Sequence, residues 1–262
     1  MIEVRDLVKH YGDVKAVDGV SFVCPDGQVT GLLGPNGAGK TTTLRMVCGL
    51  IRPMRGTVIV DGHDVKKDPQ SVRRSLGVQT DSSGVYPRLT PREHFRYYGG
   101  FYGLSGNELE RRIDEVIEIL GMGEFADRRA EGFSRGQRQK VILGRALVHN
   151  PNNIIMDEPT SGLDVMAVRE TRSMIRTLRD KGHCVLFTTH YMDEAAKLCD
   201  RIAIIIRGRI AAFGSPKQLM EETGRDSLED AFVQLAGGEE GLLVSGHSEG
   251  NNNDRLSAAG RR

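Results

Sequence analysis

The chain has 262 residues, with 36 basic and 35 acidic side chains, a formal net charge of +1 and 27% charged residues. That length can bury one large domain or two smaller lobes. The charge balance argues against a dedicated nucleic-acid binder, which carries a basic excess. Cys24, Cys48, Cys184 and Cys199 lie far apart and form no C-x-x-C pair, which points to buried, reduced thiols in a reducing compartment. No apolar run approaches the roughly 20 residues that cross a bilayer. Met1-Ile-Glu-Val alternates like a strand and lacks the basic start of a secretion signal. A soluble, cytoplasmic protein is expected.

Along the chain, Ile2, Val4 and Leu7 and then Val17, Val20 and Phe22 alternate as strands. Gln28 to Leu33 reads as a buried central strand that runs into a glycine-rich loop. A helix follows from Lys40 to about Gly49, its C-cap. Thr57 to Val60 is another strand, closed by the Asp61-Gly62 turn. From Pro91 to His149 the pattern is helical. Leu109, Ile113, Val116, Ile117 and Leu120 share one face, and Glu108 with Arg112 and Arg111 with Glu115 are spaced to pair on the other. Alternation of strand and helix then returns: Ile154 to Met156, a helix from Val165 to Arg179, and a buried strand from Val185 to Thr189. Ile202 to Phe213 reads as a strand pair turning at Arg207-Gly208, followed by short helices after Pro216 and from Ser227 to about Ala236. Beyond Gly237 the composition is that of a disordered tail.

Three motifs carry chemistry. Gly34-Pro35-Asn36-Gly37-Ala38-Gly39-Lys40-Thr41 matches G-x-x-x-x-G-K-[ST] between a strand and a helix. Its glycines let backbone N–H groups wrap phosphates at a helix N-terminus. Lys40 then reaches the β- and γ-phosphates, Thr41 binds Mg²⁺ through its hydroxyl, and Thr42 donates to a phosphate. The buried strand ending in Asp157-Glu158 supplies a carboxylate for Mg²⁺ and, one residue on, a general base for the attacking water. No Asn-Lys-x-Asp guanine reader occurs, and Asp81-Ser-Ser-Gly84 fits only the common D-x-x-G pattern. Phe133-Ser134-Arg135-Gly136-Gln137, at the start of a helix shortly before that strand, is the third.

This last motif resembles the Leu-Ser-Gly-Gly-Gln signature of ATP-binding-cassette (ABC) ATPases. Four further elements stand in that family's order. Tyr11 is at the adenine-stacking position, Gln79 at the Q-loop, Ser161-Gly-Leu-Asp164 at the D-loop, and His190 at the switch histidine. The resemblance covers about residues 1 to 220. It implies an α/β fold of P-loop NTPase type, with a mixed central sheet, an antiparallel β subdomain and a helical signature subdomain. The expected domain spans 1–236, with the helical part at about 85–150 and a tail at 237–262. Arg135 departs from the consensus glycine. It is expected to point away from the nucleotide or to pair with an acid, and it resembles the exporter branch of drug, sodium and polysaccharide efflux ATPases.

By that resemblance Lys40, Gln79, Glu158 and His190 are catalytic, and Thr41, Gln79 and Asp157 hold Mg²⁺. ATP is held by Tyr11, the loop from Gly34 to Thr42, and Ser134, Gly136, Gln137 and Asp164. One P-loop and one signature per chain imply an ATP-sandwich homodimer. A separate membrane permease would place the subunit peripherally on the inner face of the membrane, and no nucleic acid is expected. Two rivals remain open: a soluble ABC ATPase acting on nucleic acid or ribosomes, and a non-catalytic regulatory cassette. Six of the fourteen Phe and Tyr residues lie between Tyr86 and Tyr102. Phe95, Tyr98 and Tyr102 form one helical stripe, Tyr97 and Phe101 another. Tyr86, Arg88 and Tyr97 or Phe101 are expected to line a groove for the permease. The transported substrate is not written in this chain.

Overall fold

In the computed structural model, residues 1–80 and 84–238 are described. Residues 81–83, with most of the D-x-x-G stretch, and residues 239–262 of the expected tail lie outside the described residues.

The elements run β1 (Ile2–Tyr11), β2 (Val14–Cys24), β3 (Val29–Leu33), α1 (Lys40–Val47), β4 (Arg55–Val60), β5 (His63–Asp64), α2 (Pro69–Arg74) and β6 (Leu76–Gln79). Then come α3 (Pro91–Phe101), α4 (Gly106–Ile119), α5 (Arg135–Leu147), β7 (Asn153–Asp157), α6 (Val165–Asp180) and β8 (Cys184–Thr189). The chain continues through α7 (Met192–Leu198), β9 (Arg201–Ile206), β10 (Arg209–Gly214), α8 (Pro216–Thr223) and α9 (Leu228–Leu235). Two sheets form: an antiparallel one ordered β2-β1-β4-β5, and a mixed one ordered β10-β9-β3-β8-β7-β6. In the second, β9-β3-β8-β7-β6 are parallel and β10 folds back on β9 through the Arg207-Gly208 turn.

Period-two alternation sorts the central strands onto two cores. Along β8, Cys184 and Leu186 face one core while Val185 and Phe187 face the other. Ile154 and Met156 of β7 likewise point opposite to Ile155. One core lies between the central sheet, α1 and the antiparallel sheet, joining Leu32, Met46 and Leu186 to Ile2, Leu7 and Phe22. The other joins Leu33, Met156 and Phe187 to the helical stretch through Ile113, Val116 and Phe133. Each such side chain contributes about 1.5–3 kcal/mol when fully buried. The four cysteines are buried free thiols, and burial pushes the Cys48 thiol up to about 12.

In the helical stretch, Leu109, Ile113, Val116, Ile117 and Leu120 are all buried, as their spacing predicts. The charged face differs from the i,i+4 expectation. Arg112 pairs with Glu115 three residues on, and donates to the carbonyls of Leu147 (3.2 Å) and Val148 (3.4 Å). Tertiary carbonyls at the end of α5 pull this guanidinium off its solvent-facing geometry. Helix α3 starts with a Thr90–Glu93 capping box and seats Phe95 against Gly144 of α5. A Cβ at residue 144 would lie 2.2 Å from the Phe95 ring.

Candidate functional site

The loop between β3 and α1 is shaped by close backbone approaches. A Cβ at Gly39 would lie 2.3 Å from the Ala16 carbonyl, and Gly39 has φ 104. A Cβ at Gly34 would lie equally close, 2.3 Å, to the Ile205 carbonyl. No side chain caps the N-terminus of α1, so its first N–H groups and the helix dipole are offered to an anion. A cavity of about 500 Å³ opens there, lined by Pro35, Asn36, Gly37, Gly39, Lys40, Thr41 and Thr42, with Asp13 to Ala16, Glu158 and Arg207. Ala38 lies buried behind it, its carbonyl accepting from Gly208 N–H at 3.0 Å.

Lys40 is only 5% exposed and donates to the carbonyls of Gly34 (2.8 Å) and Pro35 (3.2 Å). Its Nζ lies 3.5 Å from Glu158 Oε1. Burial lowers the Lys40 pKa, and the Glu158 carboxylate opposes that shift. The ends of β7 and β8 deliver the acids. Asp157 Oδ2 is 3.5 Å from the Thr41 hydroxyl, and Asp157 Oδ1 accepts from Thr188 at 2.6 Å. Glu158 adopts φ 46, a left-handed conformation that costs a non-glycine residue about 1–3 kcal/mol. Its Oε1 lies 3.1 Å from His190 Nδ1.

Gln79 ends β6, 3% exposed, and its Nε2 donates to Gln139 Oε1 on α5. Gln79 Oε1 is buried with no partner. Thr41, Gln79 and Asp157 together line a second cavity of about 470 Å³. Thus Lys40, Thr41, Gln79, Asp157, Glu158 and His190, remote in sequence, converge on one rim of the central sheet.

The remaining candidates lie elsewhere. Ser134 caps α5 in a reciprocal box with Gln137 (3.2 and 3.1 Å). Gly136 packs the start of α5 against Ala167 of α6, and Asp164 caps α6 by accepting from Ala167 N–H at 2.9 Å. The Arg135 guanidinium lies over Gly162, in the segment that Asp164 closes. Tyr11 is half exposed at the end of β1, with the Lys9 ammonium 5.4 Å from its ring centre. None of Tyr11, Ser134, Gly136, Gln137 and Asp164 is among the lining residues of the cavity at Lys40.

Of the aromatic segment's residues expected to line a groove, Tyr86 does so. A largely apolar groove of about 610 Å³ beside α3 is lined by Leu50, Tyr86, Tyr98, Tyr102 and Arg145. Arg88, Tyr97 and Phe101 are exposed but outside that lining. The stripe that packs on the body of the protein is the one that also walls the groove. Tyr97 and Phe101 meet edge to face on the outer face, ring centres 4.9 Å apart.

Sequence reasoning missed Thr188 and Gln139. Thr188-Thr189 was legible as two hydroxyls closing an apolar strand beside His190. Gln139 carried no signal, being one polar residue among several on α5.

The class defined by this fold and rim is a P-loop ATPase with its nucleotide loop between β3 and α1. The family model described as ABC transporter matches residues 17–161, more than half of the chain. The Bacillus subtilis ABC transporter ATP-binding protein NatA is 39% identical over 238 residues, covering 89% of this chain and 97% of NatA. The Escherichia coli probable multidrug ABC transporter ATP-binding protein YbhF is 38% identical over 90% of this chain, which spans 41% of that longer protein. A solved ATP-binding subunit of an ABC transporter superposes with a TM-score of 0.81 at 32% identity, covering 90% of this chain and 99% of the other. The chain belongs to the ABC transporter family, and it is an ATP-binding, ATP-hydrolysing transporter subunit. Among the described residues no helix is long and apolar enough to cross a membrane.

Proposed function

We propose that two copies of this chain sandwich ATP and Mg²⁺ and drive export through a separate permease, which holds them at the inner face of the membrane. The ATP-driven unit is residues 1–236, with its helical lobe at about 85–150. The observation that carries the reading is the Glu158 carboxylate, poised between Lys40 (3.5 Å) and His190 (3.1 Å). Export is supported by the names of relatives, among them a Nod factor export ATP-binding protein and a daunorubicin/doxorubicin resistance ATP-binding protein.

A Mg²⁺ ion suits the residues at the second cavity. The Thr41 hydroxyl, the Asp157 carboxylate and the unpartnered Gln79 Oε1 are hard oxygen donors, the set this cation takes. When bound, Mg²⁺ neutralises charge on the β- and γ-phosphates. Lys40 leaves Glu158 for phosphate oxygens, the N–H groups of the Gly34–Gly39 loop and Thr42 bind the rest, and Tyr11 stacks on adenine. Glu158 takes a proton from the attacking water while His190 Nδ1 holds the carboxylate in place. Ser134, Gly136, Gln137 and Asp164 act on the nucleotide of the other copy. Their absence from the lining of their own cavity supports this, as do Val165 and Met166, 71% and 62% exposed beside Asp164. The permease is assigned to the groove at Tyr86, Tyr98 and Tyr102.

Glu158→Gln tests the chemical step. ATP binding should persist while hydrolysis falls roughly 10²–10⁴-fold, and an ATP-bound dimer should accumulate on size exclusion. Wild-type turnover in this variant would remove Glu158 from its role.

A further inference from the structure

Next to the acid pair stands a side chain to which no motif gives a role. Thr188 is fully buried in β8 and lies opposite Asp157 in the parallel β7–β8 register. Its hydroxyl donates to Asp157 Oδ1 at 2.6 Å and accepts from the Glu158 backbone N–H at 3.0 Å. A hydroxyl has one proton to give and lone pairs to receive, so it makes both bonds at once. The second bond ends the strand. The first N–H beyond β7 goes to a side chain, and the backbone turns there into the left-handed conformation of Glu158, φ 46. Such a turn is disfavoured for any residue with a Cβ, so it persists only where its surroundings hold it. It is this turn that sends Glu158 Oε1 towards Lys40 and His190.

We propose that Thr188 is a positioning residue for ATP hydrolysis. One hydroxyl fixes the Asp157 carboxylate, with Oδ2 left facing the Thr41 hydroxyl at 3.5 Å, and clamps the Glu158 backbone that aims the base. The inference rests on the reading of Glu158 as general base. Valine has nearly the same shape but would strand the Glu158 N–H without an acceptor and Asp157 Oδ1 without its donor. Serine keeps both bonds and loses only a methyl group.

The test compares Thr188→Val, Thr188→Ser and Glu158→Gln in the full chain, with ATP turnover, ADP affinity, thermal melting and amide hydrogen exchange. Thr188→Val should lower kcat roughly 10–100-fold, the range for removing a partner that orients a reacting group. KM for ATP and Kd for ADP should stay within about twofold, since the phosphate contacts are untouched. The Glu158 amide should exchange faster in Thr188→Val and at the wild-type rate in Thr188→Ser, which should also recover kcat. Wild-type kcat in Thr188→Val, with Glu158→Gln inactive, would overturn the positioning role alone. Wild-type turnover in Glu158→Gln would overturn the general-base reading and this inference with it. If Thr188→Ser were as slow as Thr188→Val and both melted early, Thr188 would be a packing residue and the proposal would be wrong.

Discussion

The rim formed by the ends of β3, β7 and β8 and the helical stretch from α3 to α5 position their side chains by different means. On the rim, hydrogen bonds and backbone geometry set position: Thr188 fixes Asp157 and Glu158, and the tight loop around Gly34 and Gly39 aims Lys40. In the helical stretch, packing sets it: Phe95 inserts against Gly144, and Arg112 reaches across to the end of α5. A site held by backbone geometry needs particular residues at fixed spacing. A packed surface needs only apolar volume of about the right shape. The first therefore writes a motif, and the second writes a periodicity.

The largest expected effect tests whether the rim is complete in one chain. Lys40→Ala and Ser134→Arg proteins should each lose ATPase activity by roughly 10²-fold or more, since each removes a donor to the phosphates. Mixed, they should recover activity, because a heterodimer pairs one intact phosphate loop with one intact signature. Verified heterodimers that stay inactive would end the case for independent shared sites. Ser134→Arg also removes a helix cap, at about 1 kcal/mol, so melting must be followed alongside.

A smaller effect sharpens the contrast within one helix. Phe95→Ala should destabilise by about 3–5 kcal/mol, the usual cost of emptying an aromatic site in a core. Phe101→Ala, at a side chain 69% exposed, should stay within about 0.5 kcal/mol of wild type. Tyr86→Ala, at a half-exposed ring that lines the groove, should instead weaken recovery of the subunit with membranes that contain its permease. Chemical denaturation beside co-sedimentation reads both. Early melting of Phe101→Ala would make that ring core, and normal membrane binding by a folded Tyr86→Ala would end the assignment of the groove to the permease.

How much was legible follows the same division. The loop from Gly34 to Thr42, the Asp157-Glu158 strand end and the Arg207-Gly208 turn could be read because each is a short contiguous demand on the backbone. The α4 stripe could be read because burial imposes one period. The Gln79–Gln139 contact could not, since it joins the edge strand to a helix 60 residues away. Of the residues expected to line a groove, Tyr86 does line the apolar groove beside α3, while Tyr98 and Tyr102, not Arg88, Tyr97 or Phe101, complete its aromatic wall. Two aromatic stripes on one helix leave open which faces the body, and only the packing of Phe95 decides. Arg112 paired at i,i+3 because helix spacing takes no account of the carbonyls at the end of α5.

His149 joins the two regions, and its titration gives the smallest effect. It follows α5, stacks on Tyr102 at the end of α3 with ring centres 3.6 Å apart, and its Nε2 lies 3.1 Å from the Leu76 carbonyl of β6. A carbonyl only accepts, so Nε2 carries the proton, and Nδ1 is left buried without a partner. Burial, reinforced by the nearby Arg112 charge, lowers its pKa from 6.5 to about 4, against the bond to Leu76. The unfolded chain then binds a proton below pH 6.5 that the folded chain refuses until about pH 4, so stability falls as pH drops through that window. At pH 5 the loss from this group is about 2 kcal/mol. His94 and His183 are shifted the same way by burial, so part of the acid slope belongs to them. His149→Gln keeps a donor for Leu76 and cannot titrate. Denaturant titrations between pH 7 and 4.5 should show a shallower acid loss for this variant than for wild type. Equal slopes would mean that His149 takes up its proton as readily in the folded chain as in the unfolded one, and the joint between helical stretch and sheet would then not be the acid-sensitive part of the fold.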